Sequence, residues 1–542
     1  RVQDETSATT SGKESLFQPT PDLTYSVERT DDGGMVHHEQ RFDPDGRLIY
    51  DLSVPIDFAI GSGHTGRSYL LQRGDVMFAS MLSWYTTSHR WDLSPGYTAE
   101  SSPRFERLVP HNCVACHAGT VNPLPDNREG HTSGRNRFAA TPVGESMISC
   151  ERCHGPAADH VHHHEAGASG ADPILQIAEL SPSRQDALCH QCHLQGKRKI
   201  NRYGCDDFSF QPGMNIGDIW VVFLKAPFAG GEVRIVSHAE QIQSSRCFSA
   251  SDGALTCLTC HDAHSVPAES DKVSYYRDRC LTCHGTPDHR ACSLTLDART
   301  QSSPQDSCIQ CHMPAFPSRH VPHTANTDHR IMRIPDDGSQ PKAVNKTELL
   351  PDESVFREPG VLIPPHEVDR ARGIYLAELA HSSGDSGIGR LAADFLNQSM
   401  SEIPDDLLTA EAGARAMVSM GQVRFALQAI DHALLKAPTD EVLLLVAAST
   451  CEDAEQWEAA VDYYRRLTRS DPGRSSYFAH LAVCHGKLGQ WDDGIQSAEQ
   501  AIQLDPSLTE TWEWLSRAYR LTGRTADADG AEQMANRLQS VR

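Results

Sequence analysis

Six times the chain reads Cys-x-x-Cys-His: at Cys113/Cys116/His117, Cys150/Cys153/His154, Cys189/Cys192/His193, Cys257/Cys260/His261, Cys280/Cys283/His284 and Cys308/Cys311/His312. Two thiols three residues apart lie on one helical turn and can add to the two vinyl groups of a single haem. The adjacent His then falls under the iron as proximal ligand. Zinc would take two cysteine pairs per site and would need no His after every second Cys. Thioredoxin-like redox pairs come once or twice in a βαβ setting, which is absent here. The pattern therefore predicts six haem c groups, each bringing one iron.

Six haems between residues 113 and 312 leave too little chain to wrap each porphyrin separately. The haems are expected to supply much of the core and to lie against one another, an arrangement that conducts electrons. The sixth iron ligand separates a wire from an enzyme, since a catalytic haem keeps one axial position open. The chain holds 28 His, so distal ligands are plentiful. His264, in Cys260-His261-Asp262-Ala263-His264, is too close to His261 to bind the same iron and would serve a neighbouring haem. His160 stands similarly after His154-Gly155-Pro156, and His162, His163 and His164 read as a solvated loop behind it.

The elements that must hold these motifs are legible at low resolution. Residues 1–15, rich in Ser, Thr and charge, read as a flexible tail. Residues 16–110 read as a β-rich cap: Leu23, Tyr25 and Val27 alternate, Asp31-Asp32-Gly33-Gly34 and Asp43-Pro44-Asp45-Gly46 mark turns, and Leu48 to Ile60 is a further run. Trp84, Tyr85, Trp91 and Tyr97 predict an aromatic core for it. Residues 111–330 form the hexahaem domain, with little regular secondary structure beyond a hairpin expected from Ile219–Leu224 and Val233–Val236. Residues 331–372, with Pro335, Pro341, Pro351, Pro359, Pro364 and Pro365, read as a linker.

Residues 373–542 repeat on a 34-residue period without a gap. The eighth position reads Ala380, Ala414, Ala448, Ala482 and Ser516, and the twentieth Ala392, Ala426, Ala460, Gly494 and Ala528. Small side chains are needed where paired helices approach closely. Pro404, Pro438, Pro472 and Pro506 break the helices, and Gly387, Gly421, Gly489 and Gly523 mark the inter-helix turn. This resembles the tetratricopeptide repeat family and predicts an all-α solenoid of five repeats, with Ser382-Ser383-Gly384-Asp385-Ser386 interrupting the first. The array ends at Arg542 without an obvious polar capping helix, so its last face is expected to meet another chain.

From about Ile60 to Arg333 the chain resembles the multihaem cytochrome c family that is often fused to such repeats. The likeness is carried by Gly61-Ser62-Gly63-His64, Trp84-Tyr85, Ser94-Pro95-Gly96-Tyr97, Cys150-Glu151-Arg152-Cys153-His154-Gly155-Pro156 and Cys189 to Leu194. It continues through His238 to Cys247, Leu255 to His264, Cys308 to Pro314, His323 and Thr327-Asp328-His329-Arg330. The resemblance implies six distal ligands: His64, His160, His238, His264, His323 and His329. The family often reads Gly-Ser-Gly-Asn-His near position 64, whereas here the His comes one residue early. His37, His38 and His111 are the substitutes. Of the remaining cysteines, two among Cys205, Cys247 and Cys292 could pair, while Cys451 and Cys484 read as small core residues of neighbouring repeats.

A net charge of −23 argues against nucleic acid or an anionic membrane as the main partner, and no apolar run approaches the roughly 18–20 residues of a span. The chain begins at Arg1 without a charged or apolar leader, so any targeting peptide is expected to have been removed. Covalent haem attachment places the expected compartment in the periplasm or outside a prokaryotic cell. The expected function is electron transfer along mostly bis-His haems. Redox partner proteins, or further copies of the chain in a homo-oligomer or conductive filament, would dock through the repeats and haem domain. The alternative is a multihaem oxidoreductase with one open haem acting on a small nitrogen or sulfur compound.

Overall fold

The turn at Gly33, whose φ of +85° favours glycine, and the alternation around it generate an antiparallel meander. It runs β1 (Glu14–Thr20), β2 (Leu23–Arg29), β3 (Met35–Phe42) and β4 (Leu48–Ile56) in that order. The computed structural model describes residues 14–61, 63, 66–86, 88–99, 103–124, 134–224, 237–285, 292–302, 306–316, 326–332, 355–400, 402–403 and 406–541. The tail expected over 1–15 is already strand at Glu14 and Ser15, which pair with Val27 and Ser26. The run from Leu48 to Ile60 is not one strand. Its chain turns at Asp57, whose N–H donates to the Leu70 carbonyl (3.0 Å), and the remainder joins a second sheet. That sheet is β5 (Phe58–Ile60), β6 (Gly66–Arg73), β7 (Val76–Tyr85) and β8 (Arg90–Leu93), with β9 (Arg107–Leu108) beside β7.

Strand β7 is covered on both faces and is therefore apolar almost throughout. Val76, Phe78 and Trp84 pack with Leu23, Tyr25, Tyr69 and Trp91 between the sheets, the aromatic core expected of the cap. Met77 and Ala79 face the other way, onto Val109, Val114 and Phe138. Val114 lies on α1 (His111–His117), so the sheet seats the first Cys-x-x-Cys-His motif.

Short elements follow: β10 (Thr120–Pro123), β11 (Phe138–Glu145), α2 (Glu151–His154), α3 (Ala158–Glu165), α4 (Pro182–His193), β12 (Arg198–Asn201) and β13 (Trp220–Phe223). Then come α5 (His238–Gln243), α6 (Arg246–Ala250), α7 (Cys257–Cys260), α8 (Lys272–His284), α9 (Leu296–Ser302) and α10 (Cys308–His312). His162, His163 and His164 lie on helix α3, not in the loop expected. Of the expected hairpin, Trp220–Phe223 is strand β13 and pairs with β12, Trp220 opposite Asn201 and Phe223 opposite Arg198, while Val233–Val236 lie outside the described residues. All four residues of β13 are buried. Val221 and Phe223 pack on one side with Ile374 and Tyr375, while Trp220 and Val222 pack on the other with Ala187 and Leu188 of α4.

The repeats comprise α11 (Pro365–Ser383), α12 (Ser386–Met400), α13 (Leu407–Ser419), α14 (Val423–Leu434), α15 (Glu441–Asp453), α16 (Trp457–Ser470), α17 (Ser475–Lys487), α18 (Trp491–Leu504), α19 (Thr509–Leu521) and α20 (Thr525–Gln539). The small residues at the eighth and twentieth positions are buried as expected, among them Ala414, Ala448, Ala426 and Ala460 at 0% exposure. Gly494 is small because a Cβ there would meet the Trp514 ring at 2.7 Å. Gly421, Gly489 and Gly523 occupy the left-handed turn, with Glu455 in the same conformation in the third repeat. The first repeat departs from the register: Gly384, not Gly387, makes the left-handed turn, and α11 begins eight residues ahead of position 373. Cys451 and Cys484 are fully buried core residues.

The linker expected over 331–372 is therefore shorter, with 333–354 outside the described residues. Val355, Phe356 and Ile363 are buried, and the Glu358 carboxylate accepts the Ile216 and Gly217 N–H groups at 3.1 and 2.9 Å. Arg370, 1% exposed, joins the Asn201 carbonyl (2.7 Å) to Asp406 (2.6 Å), which caps α13. The array also docks on the β cap. Arg137 reaches Asp75, Glu441 and Ser470 at 2.7, 3.1 and 3.0 Å, and Arg474 reaches Glu441 (2.9 Å) and the Glu106 carbonyl (3.1 Å). The last repeat face, expected to meet another chain, is covered in cis: Leu538 and Val541 pack on Ile49 and Tyr50, and Arg41 donates to the Val541 carbonyl. Among the described residues no helix is long and apolar enough to cross a membrane.

The Arg137 side chain is 6% exposed and ties Asp75 to Glu441 and Ser470, so Arg137→Ala removes these charge-assisted bonds, while Arg474 still holds Glu441, and is expected to cost about 2 kcal/mol in urea unfolding. Arg47→Ala, in a pair that is 77% exposed on the Arg side, should change stability by less than ~0.5 kcal/mol. A second prediction concerns His37, which is fully buried and donates or accepts at Ser80 (2.7 Å). Burial pushes its pKa from 6.5 down to about 3. The unfolded chain then binds a proton that the folded chain refuses, so this contribution to stability falls as pH drops from 6.5 toward 3. Thermal unfolding across that window should show a shallower slope in His37→Gln.

Candidate metal centres

Every motif lies on a helical turn: α1, α2, the end of α4, α7, the end of α8 and α10 carry them in order. A helix puts residues three apart on one face, so each thiol pair shares a side. The motif helices touch in the sequence α1–α4–α7–α8–α10. Thiols of different motifs also meet: Cys116 lies within hydrogen-bond reach of Cys192, Cys189 of Cys257, and Cys280 of Cys308. Cys205, Cys247 and Cys292 are all free, so none of the disulfides expected as options is formed.

The histidines assemble in a way that pairs motif with distal candidates. His154 faces His264 at a centroid distance of 6.1 Å with 19° between planes. His193 faces His238 at 5.7 Å and 21°, and His261 faces His329 at 6.2 Å and 28°. Two imidazoles bound through nitrogen on opposite sides of one transition metal, with bonds of about 2 Å, have centroids roughly 6 Å apart. The pairs have that spacing. His238 and His329 also touch at 4.3 Å, so His193, His238, His329 and His261 form one row of four rings.

Ring orientation is fixed from behind. His154 Nδ1 donates to the Leu175 carbonyl (2.9 Å), His312 Nδ1 to Met332 (2.6 Å) and His329 Nδ1 to Thr327 (2.9 Å). A carbonyl only accepts, so these rings carry the proton on Nδ1 and offer the Nε2 lone pair to a metal. His160 Nδ1 faces the Asp172 carboxylate at 2.7 Å. Beside His154 a cleft of about 740 Å³ is lined by Gly155, Pro156, Asp172, Leu175 and Pro212. The donor set thus fits haem: paired thiols on one helical face, an imidazole next to each pair, and opposing imidazoles at the right distance. The protein core is also thin here, since α2, α7, α8 and α10 bury none of their residues.

His64 and His323 lie outside the described residues. Of the substitutes for His64, His37 is enclosed by Tyr69 and Trp91, His38 is bonded to Glu28 and Asp51, and His111 is bonded to the Arg137 carbonyl. His37 and His38 have both ring nitrogens committed elsewhere, while His111 spends one on that carbonyl. His117 and His284 end their helices, α1 and α8. Among the described residues two further clusters could hold a cation by proximity: His160, His164 and Asp172, and Asp186, His190 and Cys257, where His190 is buried and Cys257 only partly so. His190 sits edge-on to Phe356, and burial brings its pKa down to about 4, keeping it neutral. Asp172, Leu175 and Met332 escaped sequence reasoning, since a backbone carbonyl or a loop carboxylate behind a ligand leaves no spacing signature.

No family model matches the chain. It is 29% identical over 101 residues to the small glutamine-rich tetratricopeptide repeat-containing protein 2 of Mycosarcoma maydis, covering 18% of this chain and 29% of that protein. It is 30% identical over 56 residues to the Hsp70-Hsp90 organizing protein of Triticum aestivum, 10% of each chain. The chain thus spans less than a third of the length of these relatives. Solved structures with similar helix pairs include MamA MSR-1 C2 (21% identity, TM-score 0.27, 31% of this chain and 97% of that one). Another MamA crystal structure gives 14% identity and a TM-score of 0.29 over 32% of this chain and 92% of its own. The C-terminal region is a tetratricopeptide repeat array, and the chain is multidomain, with a β-rich N-terminal region before it.

Arg152 and Lys199 flank the Cys116–Cys192 contact. Hydrogen bonding from Cys116, with help from these cations, holds the Cys192 thiol below the usual thiol range and leaves Cys116 above it. In haem-free protein at pH 7, iodoacetamide should label Cys192 several-fold faster than Cys116 by peptide mass spectrometry. Equal rates would remove this polarisation.

Proposed function

We propose that the protein is an extracytoplasmic multihaem c-type cytochrome that passes electrons along six covalently bound haems. The observation that carries the reading is the row His193–His238–His329–His261, in which two motif histidines are bridged by their opposing partners in direct contact. Cys113, Cys116, Cys150, Cys153, Cys189, Cys192, Cys257, Cys260, Cys280, Cys283, Cys308 and Cys311 would hold the porphyrins. His117, His154, His193, His261, His284 and His312 would be proximal ligands, and His64, His160, His238, His264, His323 and His329 distal ones. Bound haem supplies a one-electron ferric–ferrous couple. The chain's own part is positional: β7 and β13 seat α1 and α4, carbonyl acceptors set the imidazole tautomers, and neighbouring thiols bring together attachment points of the first and third, third and fourth, and fifth and sixth motifs.

The repeats support a docking role for redox partner proteins or further copies of the chain, because stacked helix pairs present extended surfaces. Their junction with the β cap takes one edge and the final face, so docking uses the remaining flank. Sedimentation of the haem-loaded protein at rising concentration separates a monomer from a growing filament.

The decisive experiment counts haem and spin state together. Pyridine haemochrome should give six haems per chain, and low-temperature electron paramagnetic resonance of the oxidised protein should find them low-spin. His264→Ala should convert one haem in six to high-spin. A haem-free protein sinks the proposal, and one high-spin haem in the unaltered protein moves the reading to an open-site oxidoreductase.

A further inference from the structure

Among the described ligand candidates, Nδ1 meets a neutral backbone carbonyl in three, the Tyr276 hydroxyl in His261 (3.4 Å) and a carboxylate in His160. His154, His312 and His329 donate to Leu175, Met332 and Thr327. His160 Nδ1 instead lies 2.7 and 2.9 Å from the two oxygens of Asp172. His264 comes near Asp262, but at 3.6 Å and with its side chain 81% exposed, beyond hydrogen-bond reach. The Asp172 carboxylate is itself held in place. It accepts from His164 Nε2 at 3.0 Å, and the Ile174 N–H donates to it at 3.2 Å. His160 and His164 are one turn apart on α3 with ring centroids 4.7 Å apart, so one carboxylate clamps two rings of the same helix face.

We propose that Asp172 is a positioning residue for His160: it fixes the ring with Nε2 toward the iron and lowers the potential of the haem that His160 serves. This rests on the haem reading above. The physics is that of a charged partner behind a metal ligand. A carboxylate draws the Nδ1 proton toward itself, the imidazole gains anionic character, and the more basic ligand stabilises ferric over ferrous iron. A carbonyl does the same far more weakly, because it carries a dipole and not a charge. An ordinary aspartate is ionised at neutral pH, so Asp172 brings a full negative charge to Nδ1. The same three side chains could hold a divalent cation. In that case His160 would spend Nδ1 on the cation and Asp172 would carry no influence on an iron.

The test uses the full haem-loaded protein and redox titration followed by optical and electron paramagnetic resonance spectroscopy. Asp172→Asn keeps the shape and removes the charge. It should leave all six haems low-spin and raise one midpoint by a change of about tenfold in the ferric-to-ferrous ratio, about 59 mV for one electron, with the other five unmoved. Asp172→Glu should recover part of that shift. His160→Ala should make one haem high-spin and abolish the same midpoint. The inference fails if Asp172→Asn leaves every potential in place or moves a midpoint other than the one that His160→Ala abolishes. It also fails if His160→Ala leaves all haems low-spin while the unaltered protein binds one zinc ion that His164→Ala releases. Those outcomes overturn the role of Asp172 and leave the haem reading standing, whereas a chain without haem overturns both.

Discussion

Strand β13 is only four residues long, yet it is buried on both faces, and much of the molecule is arranged around that fact. A strand in that position needs apolar cover on two sides and a hydrogen-bonding partner at its edge. Helix α4 covers one side and brings the third motif with it, α11 covers the other and brings the repeat array, and β12 supplies the ladder. Strand β7 repeats the logic in the cap, with the inter-sheet core on one face and α1, bearing the first motif, on the other. Two double-faced strands thus anchor two motif helices to the large folded bodies. The remaining motifs lean on these through contacts between motif helices.

That division separates a rigid frame from a segment whose own apolar core is thin. Helices α7, α8 and α10 bury no residue, and helices this short are marginal in water without packing. In the proposed function the porphyrins are the packing material as well as the redox centres, so attachment and folding of this segment are one process. The imidazole row explains why thin packing is compatible with function: what must be held accurately is a set of ring positions, and carbonyls at Leu175, Thr327 and Met332 hold them locally.

The repeat array serves as scaffold as much as surface. Its loop edge is clamped to the cap by Arg137 and Arg474, its first helix packs on β13, and its last helix closes on β4. The chain therefore folds back so that its last helix meets strand β4 of the cap. Partner docking, in the reading proposed, is confined to the flank that these junctions leave.

The sequence by itself determined the local facts. The thiol spacing, the strand alternation from Leu23, and the 34-residue period with small residues at Ala414, Ala448 and Ala482 each depend on neighbours along the chain, and each is recovered in the structure. It failed where the deciding partner is remote. Trp220–Phe223 takes Arg198–Asn201 as a ladder partner that no local pattern indicated, because the cover for both faces of that strand comes from α4 and α11. A proline-rich stretch read as linker contributes Val355, Phe356 and Glu358 to buried contacts, since proline content reports flexibility and not what lies beside it. Among the candidate ligands, helix and motif positions were legible, but the pairing of His154 with His264, His193 with His238 and His261 with His329 was not. Ring-to-ring distance is set by how separate helices pack, and only the tertiary structure decides that.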